Sequence, residues 1–382
     1  MRGHICRRGK RSWAVVLELP RDPETGRRRQ KWHSVKGLRR DAERLLAELL
    51  HNLDTQQYTE PTKLTLAAYL DDWLQQVAST VRPTTWRSYE VIVRRHITPA
   101  LGRLPLSQLT APQIQRWVLE QLGGGRADGR GKELSARTVH FMYAVLSMAL
   151  RRAVKLGILG RNVAEMVTPP RAERREVPGF NVEFAADLLR VAGPTRLYLP
   201  VLLAVMTGMR RGEILGLRWA DVDLGAATVE VRQTQLAGGR FAPPKTDRGR
   251  RRVALPGGLV EALKVERERQ AQYRALFGAG YEEYDLVIAH ETGHPWEPTT
   301  LGSAFRSLTR RMGLQGVRFH DLRHLHATLL LRQGVHPKIV ADRLGHSRVS
   351  LTLDTYSHAL PDLQQDAARA IDAILPTSPT PH

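Results

Sequence analysis

The sequence predicts a multidomain α+β protein with three parts: a small β-sheet with one helix, an all-helical bundle, and a larger mixed α/β region. Residues 12–35 alternate in polarity as strands do, residues 64–167 repeat apolar side chains at helical spacing, and residues 180–375 place a β-hairpin among apolar helices. A chain of 382 residues with 42% hydrophobic content can bury two or three cores.

The first part, residues 1–60, is expected to be a three-stranded sheet plus a helix. In "SWAVVLEL" the apolar residues Trp13, Val15, Leu17 and Leu19 alternate with the others, and "QKWHSV" is a second strand beyond a turn. "GLRRDAERLLAELLHNL" repeats leucine at helical spacing. Basic residues are expected on an N-terminal arm and on the turn, where they would follow a groove or be simply solvated: Arg7, Arg8, Lys10, Arg11, Arg27, Arg28 and Arg29.

The second part, residues 64–167, is expected to be helical throughout. Pro83 with Thr84 and Thr110 with Pro112 are start signals for two of its helices. A long last helix is expected to begin after an N-cap at Ser135 and to stop near Gly157.

Arginines interleaved with aromatic residues mark this helical part. The pattern fits a bundle that offers Arg to nucleic-acid phosphates, and it fits an ordinary helical domain with an exposed basic face equally well. The residues that would bind DNA are Arg82, Arg87, Arg94, Arg95, Arg137 and Arg151.

Residues 168–179 are charged and bracketed by prolines, which indicates an interdomain linker. In the third part, 180–375, an apolar helix from about Tyr198 to Met206 is expected to break at Gly208. A second helix then begins near Arg211, with Arg210 at the elbow. A β-hairpin follows, whose basic loop contains Lys245, and residues 376–382 are expected to form a flexible tail.

Charge and cysteine content restrict the class of protein. The formal net charge of +20 and a pI of about 10.8 favour a nucleic-acid partner, although a generally basic surface would give the same values. One cysteine, Cys6, excludes an intramolecular disulfide framework and a cysteine-based zinc site, and fits a reducing cytosol. No secretory or membrane-spanning apolar run is found, so we expect a cytoplasmic protein without a membrane partner.

The stretch "RFHDLRHLHATLLL" gathers His320, Arg323, His324 and His326 at the start of an apolar helix. His320 and His324 have the spacing of a zinc-binding pair, but the permanent charge of Arg323 between them disfavours a cation and favours an anion such as phosphate. "HDLRH" also lacks the Glu of the metalloprotease motif. His324 and His326 are expected to fix the helix start or to pack in the core.

Four fragments follow one another in the order "TGMRRGE", a Lys in a hairpin loop, "HDLRH" and "LGHSRVSLTLDTYSH". Their order and spacing resemble the tyrosine recombinase family, and most closely its phage and mobile-element integrases. The resemblance covers residues 65 to 365. Residues 1–60 resemble, less specifically, the arm-site DNA-binding domain of lambda-type integrases.

The resemblance implies a role for each matching residue. Arg210 and Arg323 would bind the phosphate, Lys245 would be the general acid, and Glu213 would buttress the site. His320 and His346 would be the active-site histidines and Tyr356 the nucleophile. Lys245 has an alternative role as a residue of a loop that contacts phosphates, and of the doublet Arg210-Arg211 the first member follows "TGM" as in the family. No metal and no other cofactor is implied.

These residue types suffice for breaking a phosphodiester without water. The reaction needs a nucleophile, charge on the non-bridging oxygens, and an acid for the leaving 5′-oxygen. A tyrosine, two arginines and a lysine supply them. Because tyrosine ionises near pH ~10, Tyr356 also needs a proton acceptor such as His320.

The resemblance further implies an arm-type DNA-binding domain (1–60), a core-binding domain (64–167), the linker (168–179) and a catalytic domain (180–375). The expected function is integration or excision of a phage or mobile element through a 3′-phosphotyrosine intermediate. The expected partners are double-stranded DNA attachment sites, a homotetramer on two duplexes, and accessory bending or directionality proteins. A type IB topoisomerase and a DNA-binding regulator without catalysis remain alternatives.

Overall fold

The computed structural model describes residues 3–19, 21, 25–54, 63–124, 133–171, 180–244, 247–356 and 363–375. The chain divides into two compact units, Met1–Arg175 and Glu176–His382. The predicted α+β class is confirmed. In the described part of the chain no helix is both long and apolar enough to cross a membrane.

The first unit begins with an antiparallel sheet in the order β1-β2-β3, formed by Gly3–Gly9, Ser12–Leu19 and Arg29–Lys36. Helix α1, Arg39–Asp54, follows it. Val15 and Leu17 of β2 join Ala42 and Leu49 of α1 in a core of their own, which contains no residue of the later helices among those described. As predicted, the small sheet packs against one helix.

Two details of this sheet differ from the prediction. The alternation in β2 is incomplete, because Ala14 and Val16 are buried as well as Val15 and Leu17. Side chains on both faces of β2 are therefore buried. The basic residues at 7 and 8 belong to strand β1 and not to a free arm, because residues 3–9 pair with β2.

The rest of the first unit is helical, as the sequence predicts. Its helices are α2 (Leu66–Ala78), α3 (Pro83–Ile92), α4 (Thr98–Leu101), α5 (Ala111–Gly124) and α6 (Ala136–Lys155). Ser135 caps α6 by accepting a hydrogen bond from the Thr138 amide, and Gly157 adopts a φ of +71° after its end. One predicted helix is interrupted: between α3 and α4, Val93–Ile97 form a turn of π-helix.

Side chains from most of these helices share one apolar core. The hydroxyl of Tyr69 in α2 donates to the carbonyl of Ala149 in α6 over 2.7 Å, and the Trp117 indole of α5 donates to the carbonyl of His96 over 3.1 Å. Both bonds satisfy polar groups that burial would otherwise leave unpaired. The helices are thereby fixed in register with one another.

The second unit combines helices with two small sheets. Its helices before the strands are α7 (Val182–Ala192), α8 (Tyr198–Thr207) and α9 (Arg211–Leu215). Its strands are β4 (Val222–Asp223), β5 (Thr228–Val231), β6 (Thr234–Gln235), β7 (Phe241–Ala242) and β8 (Arg251–Ala254). The later helices are α10 (Gly257–Phe277), α11 (Pro298–Arg311), α12 (Asp321–Arg332), α13 (Pro337–Leu344), α14 (Val349–Tyr356) and α15 (Leu363–Ile374).

The strands form the predicted hairpin in two sections. One sheet has the order β4-β5-β8 and the other pairs β6 with β7, all antiparallel. Gly238 and Gly239 carry the turn with φ of +76° and +69°, a conformation that glycine adopts at little cost. Helices α8 and α12 are buried on nearly every side, so the residues at their ends have fixed positions. The candidate site lies at those ends.

Candidate active site

The elbow between α8 and α9 holds the first candidate, Arg210. Gly208 ends α8 in the left-handed region with φ +67°, and an added Cβ would lie 2.6 Å from side-chain atoms of both His326 and Leu344. Glycine is therefore required here by conformation and by space. Arg210 follows as the N-cap of α9, as the sequence predicts, and its side chain is 40% exposed.

Glu213 holds Arg210 in place through hydrogen bonds. Its carboxylate, 3% exposed, accepts the Arg210 guanidinium at 2.7 Å and the Arg210 backbone amide at 2.9 Å. A third bond comes from Arg251 Nη2 at 2.8 Å. Burial by itself would raise the pKa of Glu213, but the charges and hydrogen bonds of Arg251 and Arg210 hold that pKa below its usual range. An ionised Glu213 therefore sets the direction of the Arg210 side chain.

Arg251 was not identified from the sequence as part of this site. Its side chain, 6% exposed, donates to Glu213, to the carbonyl of Arg343 at 2.6 Å and to the carbonyl of Gly249 at 3.1 Å. One guanidinium thus ties strand β8 to α9 and to the end of α13. Arg251 is therefore a positioning residue for Glu213, the carboxylate that holds Arg210.

Arg323 connects the elbow between α8 and α9 to the end of α13. Its guanidinium, 3% exposed, donates to the carbonyl of Gly208 at 2.8 Å and to the carbonyl of Leu344 at 2.6 Å. The first acceptor lies two residues before Arg210 and the second two residues before His346. Arg323 therefore fixes the backbone that presents both of those residues.

His320 is the N-cap residue of α12, and its ring lies 5.5 Å from that of His324, edge to face. Burial lowers the pKa of His320 to about 4, and the charges of His324, Arg323 and Arg210 act in the same direction. At neutral pH the ring is uncharged. An uncharged imidazole has a lone pair with which to accept a proton.

His346 follows Gly345, which ends α13 with φ +70°. Its Nδ1 lies 2.8 Å from the hydroxyl oxygen of Thr352, a side chain with no exposed surface. Burial lowers the pKa of His346 to about 4, followed by the charges of Arg323 and Arg210. The charges of Arg210 and Arg323 thus lower the pKa values of both histidines.

His326 has a structural role, as the sequence predicts. Its Nδ1 donates to the carbonyl of Val205 at 2.7 Å, and its Nε2 accepts from Arg343 Nε at 3.1 Å. Burial, together with the charge of Arg343, lowers the pKa of His326 to about 4. Neutral His326 thus connects α12 to α8 and α13, directly behind the site.

We expect acid to destabilise the protein through His326. The folded-state pKa lies below the unfolded value of 6.5, so the unfolded chain binds the proton more readily. Stability contributed by the neutral ring is therefore present above pH 6.5 and is lost as the pH falls toward 4. A shift from 6.5 to about 4 corresponds to about 3 kcal/mol. Of this loss, about 2 kcal/mol should fall between pH 7.5 and pH 5, and urea unfolding at those two pH values measures it.

His326→Gln is the matched variant for that measurement. Glutamine keeps one donor for Val205 and one acceptor for Arg343 but does not titrate. The loss of stability between pH 7.5 and pH 5 should therefore shrink in the variant, while the other buried histidines continue to contribute. An identical pH dependence in both proteins would show that His326 is not a major titrating group.

Two further predicted residues lie partly or wholly outside the described residues. Tyr356 is the last residue of α14, ten positions after His346, and its side chain lies outside the described residues. Lys245 also lies outside them. The short 3-10 turn Asp247–Gly249 that follows it is fastened beside the site, because Arg248 donates to the carbonyl of Ser347.

The zinc alternative for His320 and His324 would need further ligands nearby. Within the residues described, no group of three or more His, Cys, Asp and Glu side chains converges. Asp321, between the two histidines, is instead engaged by Arg318 through its backbone amide at 2.8 Å and its guanidinium at 3.2 Å.

The six arginines predicted to bind DNA lie on the helical part of the first unit, and all of them are exposed. Arg94 pairs with Glu90 and Arg151 with Glu165, each at 3.2 Å. Exposed ion pairs of this kind contribute little energy. A phosphate can therefore replace the carboxylate at small cost.

The fold is shared with solved DNA-bound integrases. The Tn1549 transposon integrase, solved with a circular intermediate DNA, superposes with a TM-score of 0.68 at 18% identity, covering 81% of this chain and 99% of that one. Lambda integrase, solved as a tetramer bound to a Holliday junction, gives a TM-score of 0.56 at 21% identity, over 90% and 95% of the two chains.

The sequence comparisons agree with the structural ones. The phage integrase family profile matches residues 182–362, and the N-terminal SAM-like domain of phage integrases matches residues 65–120. A tyrosine recombinase XerC-like protein of Caldanaerobacter subterraneus is 27% identical over 97% of this chain and 98% of its own length. Fold and relatives define a tyrosine-type site-specific DNA recombinase. The chain belongs to the phage integrase family.

Proposed function

We propose that this recombinase cleaves a DNA strand with Tyr356 and holds the reacting phosphate between Arg210, Arg323 and His346. The proposal rests on the hydrogen bonds that hold these residues in place. Glu213 holds Arg210, and Arg323 is bonded to the carbonyls of Gly208 and Leu344, which lie close in sequence to Arg210 and His346. The positive side chains are thereby fixed before DNA binds, as electrostatic stabilisation of a transition state requires.

Each residue has one task in the proposed reaction. The Tyr356 oxygen attacks the phosphorus, and the bond to the 5′-oxygen of the next nucleotide breaks. Neutral His320 accepts the tyrosine proton, and Lys245 donates a proton to the departing 5′-oxygen. The arginines stabilise the negative charge that grows on the non-bridging oxygens.

The products are a 3′-phosphotyrosine and a free 5′-hydroxyl. Attack by a 5′-hydroxyl from a second duplex reverses the chemistry and joins new partners. The number of phosphodiester-type bonds is unchanged throughout, so strand exchange needs no ATP. The arginines and the lysine supply the charge and the proton that other phosphoryl transfers obtain from metal-bound groups.

Strand exchange between duplexes calls for several protomers, and we propose a homotetramer on two duplexes of attachment-site DNA. Lambda integrase, which shares the fold, has been solved as a tetramer on a Holliday junction. In this chain helix α15 and the residue after it expose apolar side chains that an isolated protomer would leave in water. They are Ile371, Ile374 and Leu375, which are 56%, 75% and 56% exposed. A neighbouring protomer is the proposed cover for them.

The test begins with cells that express the chain. Denaturation traps protein–DNA adducts, and sequencing of the attached 3′ ends identifies the cleavage sites. Two plasmid-borne copies of such a site should recombine when purified protein is added. Relaxation of a supercoiled plasmid with a single site, without recombination between two, would favour a type IB topoisomerase. DNA binding without any adduct would favour a regulator.

We further propose that residues 1–60 bind a second, arm-type DNA segment. Their sheet and helix have a core of their own. Cation–π contacts hold Arg7 at 6.0 Å from the ring of Trp13 and Arg8 at 5.2 Å from the ring of Trp32. A separately folded basic module at the end of the chain is suited to tethering.

Deletion of residues 1–60 should therefore spare cleavage of a short core site and lower recombination between full attachment sites. Loss of the tether lowers the effective concentration of the second segment, by about 10²-fold or more in bivalent systems, and leaves the chemistry intact. Core-site adducts and full-site recombinants are measured on the same preparation. Full-site recombination at the intact rate would exclude the arm-binding role.

A further inference from the structure

The hydrogen bond between Thr352 and His346 connects the helix of the nucleophile to the phosphate site. Thr352 lies in α14, has no exposed surface, and places its hydroxyl oxygen 2.8 Å from His346 Nδ1. The other ring nitrogen, Nε2, has no hydrogen-bond partner among the described residues. The ring is thus held at one nitrogen and open at the other.

Two other buried threonines in this unit use their hydroxyls differently. Thr207 donates to the carbonyl of Leu203 at 2.5 Å, and Thr309 donates to the carbonyl of Arg306 at 3.2 Å, each within its own helix. Such bonds satisfy a buried hydroxyl without any other group. The hydroxyl of Thr352 instead forms a hydrogen bond with the side chain of His346, which lies outside its helix.

The chemistry of a neutral imidazole gives this contact a consequence. A neutral ring carries one N–H, so Nε2 can donate to a phosphate oxygen when Nδ1 accepts a hydrogen bond. A hydroxyl is able to donate that bond, whereas a carbonyl at the same place would draw the proton to Nδ1. Partners of this kind fix tautomer and ring orientation in histidines that bind metals, and the same physics applies to a phosphate.

We propose that Thr352 is a positioning residue that holds His346 as an Nε2–H donor to the phosphate when α14 is docked. Thr352 and Tyr356 are four residues apart, so their positions share one face of α14. Displacement of α14 therefore withdraws the nucleophile position and the partner of His346 together. This proposal rests on the proposed function, in which His346 contacts the reacting phosphate.

The proposed contact couples two requirements for cleavage within one protomer. A protomer whose α14 is not docked has neither a placed nucleophile nor an oriented His346, so its phosphate site is weakened at the same time. Cleavage and charge stabilisation are then switched together by one helix.

The experiment compares single-turnover adduct formation by Thr352→Val, Thr352→Ala and Thr352→Ser with that of the intact protein. Val and Ala remove the hydroxyl and should slow adduct formation roughly 10- to 100-fold, by analogy with the loss typical when the hydrogen-bond partner of a metal-binding histidine is removed. Ser keeps the hydroxyl and should remain within about threefold of the intact protein, because the hydrogen bond can still form. DNA affinity should be unchanged in all three variants.

Thr309→Val is the matched control, since it removes a buried helical hydroxyl that does not touch the site. It should leave adduct formation unchanged. A double-mutant cycle with His346→Gln separates positioning from packing: Thr352→Val should cost little further activity in the Gln background if it acts through His346.

Val and Ala variants that form adduct at the intact rate, or full additivity in the cycle, would overturn the role of Thr352. Slow adduct formation by all three substitutions, Ser included, would do the same, because the effect would then follow packing and not the hydroxyl. The proposed function fails separately: its failure would be seen as the absence of any Tyr356 adduct in the intact protein.

Discussion

Tyr356→Phe abolishes covalent adduct formation while DNA binding and folding persist: this is the expected result with the largest effect. The substitution removes one oxygen, the proposed nucleophile, and keeps the ring. Affinity for DNA comes mainly from many phosphate contacts elsewhere, so it should change little. A nicked suicide substrate supplies the measurement, because a short fragment 3′ of the cleavage point diffuses away and rejoining is prevented. Adducts are counted on a denaturing gel.

Tyr284→Phe is the control for this variant. Tyr284 belongs to the same unit, is 42% exposed and lies in the segment between α10 and α11. Its variant should form adduct at the intact level. Undiminished adduct in Tyr356→Phe would reject Tyr356 as the nucleophile and with it the alignment of the proposed catalytic set.

Arg323→Lys should lower adduct formation by at least 10²-fold, the loss typical for one preorganised donor to a developing oxyanion. The buried guanidinium donates to two carbonyls, at 2.8 and 2.6 Å, and these bonds fix its plane. A lysine ammonium is a single point of charge and cannot reproduce this fork. A carbonyl left without its donor also costs about 1–3 kcal/mol of stability.

The matched control is Arg332→Lys, at the other end of the same helix. Arg332 donates to the carbonyl of Phe180 at 3.4 Å, a long bond far along α12 from the site. Single-turnover rates and thermal unfolding are measured for both variants. Near-normal cleavage by Arg323→Lys, in a folded protein, would exclude Arg323 as a phosphate ligand.

The elbow at Gly208 and Arg210 could be predicted because its cause is local. An apolar run interrupted by Thr-Gly ends a helix, and the glycine occupies the left-handed region that terminates it. The same holds for Ser135 as the N-cap of α6. Features that depend on a few neighbouring residues can be predicted from a sequence.

Arg251 could not be predicted because its role depends on contacts 38 and 92 residues away, with Glu213 and Arg343. It stands in the run Arg250-Arg251-Arg252, whose members look alike in the sequence. The pairing of β8 with β5 makes the difference: Arg251 lies opposite Val231 and is 6% exposed, whereas Arg252 lies opposite Glu230 and is 68% exposed. Strand register decides which arginine enters the site.

The role of Thr352 could not be predicted from the sequence for a related reason. It lies within "SLTLDTY", which reads as an ordinary helical segment, and its importance appears when α14 packs beside the turn that carries His346. The interruption of the predicted helix by π-helix at Val93–Ile97 likewise has no signal in the sequence that we can name.

Peptide mapping of the adduct formed by the intact protein tests the central claim most directly. Protein trapped on the suicide substrate is digested, and the peptide joined to the 3′ phosphate is identified by mass spectrometry. The account predicts a single modified peptide with the phosphodiester at Tyr356. DNA attached at another residue would contradict it, because the phosphate site and its nucleophile would then be assigned to the wrong part of the chain.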